Sequence, residues 1–347
     1  MSSGNLVPKN LVHFMPWRDP VAGEILDAAP EVRLISLELD GPSERFWEAI
    51  ETAHGFHQPR PPYPGTTELI ERSPHLLAMG VGGAGYDTID KDACTEAGIL
   101  VVNQGGVGNE AVAEHVVGMM LGLSKRIVLA DRAMRSGADY HRHDFRGYDL
   151  EGQTVGVVGF GNIGSRVGEI CRAGFRMRVL AHDPFLTDEQ VVERGGEPVS
   201  LDELLQQSDF VSINTYLSAE TRGLIGLREL RLMKPNAFYL TTARGEVTDE
   251  QALIQVMSEG GIAGAGVDVW DPEPPPPDNP LLKMDNVIAC PHVAGVTVQA
   301  HHDMEVSGAH QWIGIFRGER PPRLQNPEVW PRYRERFHKI AGDYPAE

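Results

Sequence analysis

The chain has little cysteine, a shortage of cations and no long apolar run, and each lack excludes something. Cys94, Cys171 and Cys290 are scattered, with no C-x-x-C or similar ligand spacing. Reduced thiols, no bound metal and a cytoplasmic setting are therefore expected. Lysine and arginine number 31 against 49 aspartates and glutamates, for a formal charge of -18. That balance argues against a nucleic-acid backbone or an anionic membrane surface as partner. No stretch approaches the roughly 18 uninterrupted apolar residues of a membrane span. The opening MSSGNLVPKN has no basic region running into an apolar one, so no secretion signal is expected.

At 347 residues the chain exceeds the size at which one hydrophobic core keeps growing, and two domains follow. Short apolar runs alternate with helical patterns, which predicts an α/β fold with mostly parallel sheets. In the first part LVHFM, VRLISLEL, HLLAMGV and ILVVN read as strands, with SERFWEAIETAHGF and DKDACTEAG as helices. In the second part TVGVVGF, RVLAHD, FVSINTY, AFYLTTA, AGAGVDVW and NVIAC repeat the scheme. The proline-free stretch 109–137 reads as one long helical connector ending at Gly137. A last amphipathic stretch, TVQAHHDMEVSGAHQWIGIFRGE, leads into a proline-rich tail. That tail is expected to fold back on the first body.

Two segments share the spacing G-x-G-x-x-G: GVGGAG at 80–85 and GFGNIG at 159–164. A dinucleotide site needs a strand, the glycines, a helix whose free N–H groups face the pyrophosphate, and an acid ending the next strand. After GFGNIG comes SRVGEICRAGF and then RVLAHD, with Asp183 19 residues beyond Gly164. After GVGGAG the next strand leads to Gln104, with no carboxylate at its end. Gly159, Gly161 and Gly164 are therefore the phosphate-turn candidates, with Asn162 and Ile163 at the helix start. Asp183 is expected to bind the ribose and to select NAD, since a carboxylate repels the 2′-phosphate of NADP.

Polar residues cluster where three later strands end, in TTARGE (241–246), VDVWDPEP (267–274) and CPHVAG (290–295). In open α/β sheets such ends form the ligand crevice, where Arg244, Asp268, Glu273 and His292 can gather. Hydride transfer to a carbonyl needs a proton donor for the developing alkoxide, and histidine is suited to that near neutral pH. A carboxylate beside it stabilises imidazolium, and an arginine holds a substrate carboxylate through two parallel N–H bonds. Taken singly, each residue also has an ordinary reading: a satisfied histidine, a solvated loop charge, a helix-cap partner.

In this order the segments resemble the D-isomer-specific 2-hydroxyacid dehydrogenase family over nearly the whole chain. The likeness extends to GAGYDTIDKDACTEAGILVVN, NEAVAEHVVGMML and SAETRGLIG. The resemblance implies two Rossmann/flavodoxin-like domains, with an NAD-binding domain (109–301) inserted into a discontinuous substrate domain (1–108 and 302–347). It implies that Arg244 anchors the substrate's carboxylate and carbonyl, that His292 is the acid or base, and that Glu273 pairs with it. Thr242, Ala243 and Asp268 would lie along the cofactor and Gly295 near the nicotinamide. The loop GVGGAGYD would offer the backbone N–H groups of Ala84 and Gly85 to the substrate carboxylate. A homodimer is implied, with 109–137 carrying much of the contact.

Within HQPRPPYPGTTE (57–68), which faces the substrate's side group in relatives, Arg60 is expected to meet an anionic or polar tail. Tyr63, Trp312 and Trp330 offer either an apolar pocket or ordinary packing. Asn214 and Tyr216 depart from the histidine and proline that relatives commonly place there. The expected reaction is NAD-dependent interconversion of a small D-2-hydroxy acid and its 2-oxo acid. The rivals are a phosphite or formate dehydrogenase on the same fold and an NAD-sensing, corepressor-like scaffold. Formate enzymes place glutamine beside the histidine, so Glu273 argues against that one.

Overall fold

The computed structural model describes residues 7–14, 17, 19–137 and 139–342. The chain forms two compact units: residues up to Gly108 together with those from Val298 onward, and Asn109–Thr297. Among the described residues no helix is long and apolar enough to cross a membrane.

The first unit is built on a five-stranded parallel sheet. Its strands are β1 (Lys9–Phe14), β2 (Val32–Leu37), β3 (Gly55–His57), β4 (Ala78–Gly80) and β5 (Leu100–Val102), in the order β2-β1-β3-β4-β5. Strands covered on both faces read as unbroken apolar runs, as Leu100, Val101 and Val102 do. The sequence reading assigned β3 to the preceding helix, but that helix covers only Ser43–Glu51. Three residues are too few to show a period. Gly55 is needed because a Cβ there would lie 2.6 Å from the Trp312 ring. The tail closes the sheet edge: Asn326, fully buried, accepts from the Val101 amide at 2.9 Å and donates to the Ile99 carbonyl at 3.0 Å. Tyr333 and Phe337 then join the core formed with Leu100 and Trp312.

The second unit holds seven parallel strands: β6 (Thr154–Val158), β7 (Arg178–His182), β8 (Glu197–Pro198), β9 (Phe210–Ile213), β10 (Phe238–Thr241), β11 (Gly264–Val267) and β12 (Val287–Ala289). Their order is β12-β11-β10-β9-β6-β7-β8. The chain winds outward from β6 through β7 to β8, then returns to the other side of β6 at β9. That reversal is the switch point at which ligands bind in such sheets. The two-residue edge strand β8 escaped the sequence reading. The connector is also not one helix. It breaks into Asn109–Ser124 and Ile127–Ser136, with Arg126 at φ 53°. The cause is tertiary, because the Ser124 carbonyl accepts from the Tyr148 amide at 2.8 Å, where the chain returns over it.

Candidate active site

The turn after β6 brings strand and helix into contact that only glycine permits. Gly159 has φ 85°, and a Cβ there would sit 2.7 Å from the Thr215 amide nitrogen. At Gly164 a Cβ would lie 2.0 Å from the Gly159 carbonyl oxygen. Gly161 differs: nothing lies within 4 Å of its Cβ position, and it starts the helix Asn162–Phe175 without any side-chain cap. The first amides of that helix, from Asn162 and Ile163 on, are thus open to a group approaching from outside. Asp183, one residue past β7, closes the turn. Its Oδ2 accepts from the Phe160 amide at 2.8 Å and its Oδ1 from the Phe185 amide at 2.9 Å. Beside it lies a cavity of about 400 Å³ whose lining includes Asp183, Asp188 and Glu203.

Three neighbouring loops carry the other candidates. Thr242, Ala243 and Arg244 follow β10 directly, and the Arg244 Nη1 donates to the Ala243 carbonyl at 2.7 Å. Gly245 lets this loop press on the next one, since a Cβ would fall 2.0 Å from the Trp270 carbonyl oxygen. Asp268, just after β11, is fully buried. Its carbonyl accepts from the His292 amide at 2.7 Å, and its carboxylate from the amides of Val293 at 2.8 Å and Ala294 at 2.9 Å. Those three bonds hold His292 at φ 55°, a left-handed conformation that costs a non-glycine residue roughly 1–3 kcal/mol.

So placed, the His292 Nδ1 lies 2.7 Å from the Glu273 Oε1, and the Glu273 Oε2 lies 3.4 Å from the Trp270 amide that donates to it. The two side chains are 41% and 39% exposed. A pair that open adds little stability, about 0–1 kcal/mol, yet it is within reach of a ligand. Gly295 ends the same loop, with Val112 3.8 Å from its Cβ position.

In the first unit GVGGAG forms the loop after β4. The Gly82 amide donates to the Gln58 Oε1, the Gln104 amide to the Gly83 carbonyl and the Asn103 Nδ2 to the Ala84 carbonyl, each at 2.7 Å. The loop is pinned by its carbonyls. Among the described residues the amides of Gly83, Ala84 and Gly85 make no internal hydrogen bond. Arg60 closes a tight turn with Tyr63, and its guanidinium stands 5.6 Å from the Phe14 ring centre. Tyr63, Trp312 and Trp330 serve packing, on Phe46, in the sheet core and on Tyr333 respectively. Asn214 donates to the Ser212 hydroxyl at 2.9 Å, and the exposed Tyr216 ring sits beside Phe185.

The sequence reading missed two supports of this site. The Trp270 indole N–H donates to the Cys290 carbonyl at 2.9 Å, tying two loops together. The His115 Nε2 lies 3.8 Å from the Asp268 Oδ1, buried and without a hydrogen-bond partner. Neither shows in the sequence, because each partner lies at least 20 residues away along the chain.

Residues 117–294 match the model of the family described as D-isomer specific 2-hydroxyacid dehydrogenase, NAD binding domain. A glyoxylate reductase of Korarchaeum cryptofilum is 40% identical over 269 residues, 77% of this chain and 81% of that protein. The chain belongs to the D-isomer specific 2-hydroxyacid dehydrogenase family. A D-3-phosphoglycerate dehydrogenase of Archaeoglobus fulgidus is 38% identical over 72% of this chain and 47% of that protein. Among solved structures, a glyoxylate reductase from Paecilomyes thermophila is superposable with a TM-score of 0.83 at 30% identity, covering 92% of this chain and 99% of that one. Membership makes the protein an NAD-dependent oxidoreductase acting between 2-hydroxy and 2-oxo acids. The residues present fit the dinucleotide: an open Gly161, an uncapped helix start and an acid at the end of the next strand.

Proposed function

We propose that the protein interconverts a small D-2-hydroxy acid and its 2-oxo acid, with His292 as the acid or base. The observation that carries this reading is the His292–Glu273 pair, 2.7 Å long and set on a left-handed histidine at the carboxyl end of the sheet. With Nδ1 donating to the carboxylate, Nε2 is the ring atom left to give or take the substrate proton. Glu273 stabilises the imidazolium that forms, and Asp268 fixes the loop that aims the ring. Arg244 binds the substrate carboxylate and draws electron density from the carbonyl oxygen. Ala84 and Gly85 add backbone N–H groups to that carboxylate, and Arg60 meets the side group. When bound, the nicotinamide supplies or accepts the hydride.

The second unit is read as the cofactor domain, with Gly159, Gly161, Asn162, Ile163, Gly164, Asp183, Thr242, Ala243 and Gly295 along the dinucleotide. The first unit is read as the substrate domain. Acids lining the cavity beside Asp183 support NAD as the preferred form. A homodimer is part of this reading, supported by the helix Ile127–Ser136, which has no buried residue within the chain.

His292→Ala tests it. Steady-state turnover should fall by about two orders of magnitude or more, while NADH binding, followed by fluorescence titration, persists. Near-normal turnover refutes the role. Wild-type protein inert towards every 2-oxo acid favours the scaffold reading instead.

A further inference from the structure

In the second unit the helix Asn109–Ser124 lies close against two strands, and glycine permits the approach. A Cβ at Gly266 would fall 2.9 Å from the Met119 sulfur, and one at Gly122 would fall 2.7 Å from the Ile288 Cδ1. His115 stands one turn before Met119 and therefore on the same helix face, over the residues that follow β11 and β12. Those residues are Asp268 and Cys290. They come side by side because β11 and β12 run parallel with Val267 opposite Ala289. One ring nitrogen, one carboxylate oxygen and the thiol sulfur of the three residues all lie within 4.8 Å of one another. Among the described residues this is the one group of three such side chains so placed.

Each member is left incomplete by the protein. The His115 Nε2 is buried without a hydrogen-bond partner, and at 3.8 Å from the Asp268 Oδ1 it is too far to make one. Asp268 is fully buried, and its carboxylate accepts from the amides of Val293 and Ala294. Among the described residues no lysine or arginine pairs with it, and a buried carboxylate without a counter-ion is costly. Cys290 is a free, half-buried thiol, the member of the group nearest to solvent.

We propose that His115, Asp268 and Cys290 bind one divalent cation of the zinc class. Thiolate and imidazole favour Zn²⁺, Co²⁺ or Cd²⁺ over Mg²⁺ and Ca²⁺, which demand oxygen ligands. Metal–ligand bonds of about 2.0–2.3 Å set tetrahedral ligand atoms roughly 3.5 Å apart. The observed spacing therefore has to close by little more than about 1 Å, within reach of side-chain rotation. As the sulfur–metal bond forms, the thiol proton leaves to solvent. Thiolate and carboxylate then neutralise the cation, and the buried Asp268 gains its counter-ion. Three protein ligands leave a fourth position for water. The scattered cysteines showed no ligand spacing in the sequence because positions 115, 268 and 290 meet only across the sheet.

The test titrates Co²⁺ into full-length protein freed of metal and cofactor. The ligand-field bands of four-coordinate Co²⁺ and a near-ultraviolet thiolate-to-cobalt band should appear, saturate at one ion per chain and vanish when Zn²⁺ is added. Excess Mg²⁺ should leave them in place. Cys290→Ser should abolish the thiolate band. His115→Ala should weaken Co²⁺ binding by at least about tenfold, the least that losing even a group behind a ligand costs. A measurement on the wild type needs no variant to fold: saturating Zn²⁺ should stop alkylation of Cys290, mapped by mass spectrometry, and a chelator should restore it. The proposal is overturned by a wild type without the thiolate band, by a band that survives Cys290→Ser, by unchanged affinity in His115→Ala, by displacement with Mg²⁺, or by alkylation indifferent to Zn²⁺. No substrate or NADH takes part, so failure of the dehydrogenase reading would leave these outcomes unchanged.

Discussion

At the scale of the residue, Gln58 and His292 share an unusual property: both are bulky side chains held at positive φ, at 66° and 55°. Such conformations persist only where surrounding bonds over-determine them. For His292 those bonds come from Asp268, and for Gln58 from Gly82 and the Gly80 carbonyl. Each places a polar side chain at a loop proposed to touch ligand. Asp183 is a different case, since its carboxylate supports the glycine turn and, in the proposed reading, also supplies the charge that a 2′-phosphate would meet. Asp183→Ala should lower the kcat/KM preference for NADH over NADPH by at least about tenfold, because like charges at close range cost several kcal/mol. Unchanged selectivity in that variant would count against the ribose assignment.

At the scale of the element, helices normally persist by burying an apolar stripe. The helix Ile127–Ser136 has no fully buried residue within its own chain, and Ile127 and Met134 are 56% and 61% exposed. A second copy of the chain can cover that stripe. Ile127→Asp with Met134→Asp should convert a dimer to monomer in light scattering, while the wild type remains dimeric. A monomeric wild type removes the homodimer from the reading. The break before this helix explains why sequence periodicity ran past it. The pattern carries on, but the Ser124 carbonyl is claimed by Tyr148, 24 residues further along.

At the scale of the whole molecule, acid should act first on the first unit. It holds His54 and His57, which burial depresses to about 4 and about 3 from 6.5. Between those values and 6.5 the unfolded chain binds protons that the folded one refuses, so stability falls as pH drops through that window. Denaturant midpoints should decline from pH 7 to pH 4.5, with amide-exchange protection in β1 and β3 lost before that in β6 and β9. A midpoint indifferent to pH over that range sinks the claim.

By itself the sequence determined two parallel α/β units, the glycine turn at Gly159–Gly164 between strand and helix, and the identity of the three polar loops, because each is written in local spacing. Strand β3, strand β8 and the broken connector were not legible, since two or three residues have no period and a helix break made by a distant amide leaves no local sign. Only the tertiary structure decided that Asp268 turns its carboxylate to the His292 loop and that Asn326 of the returning tail pairs with the Val101 amide. Hydrogen bonds between residues tens to hundreds of positions apart depend on how the chain closes on itself, and no neighbouring letters encode that.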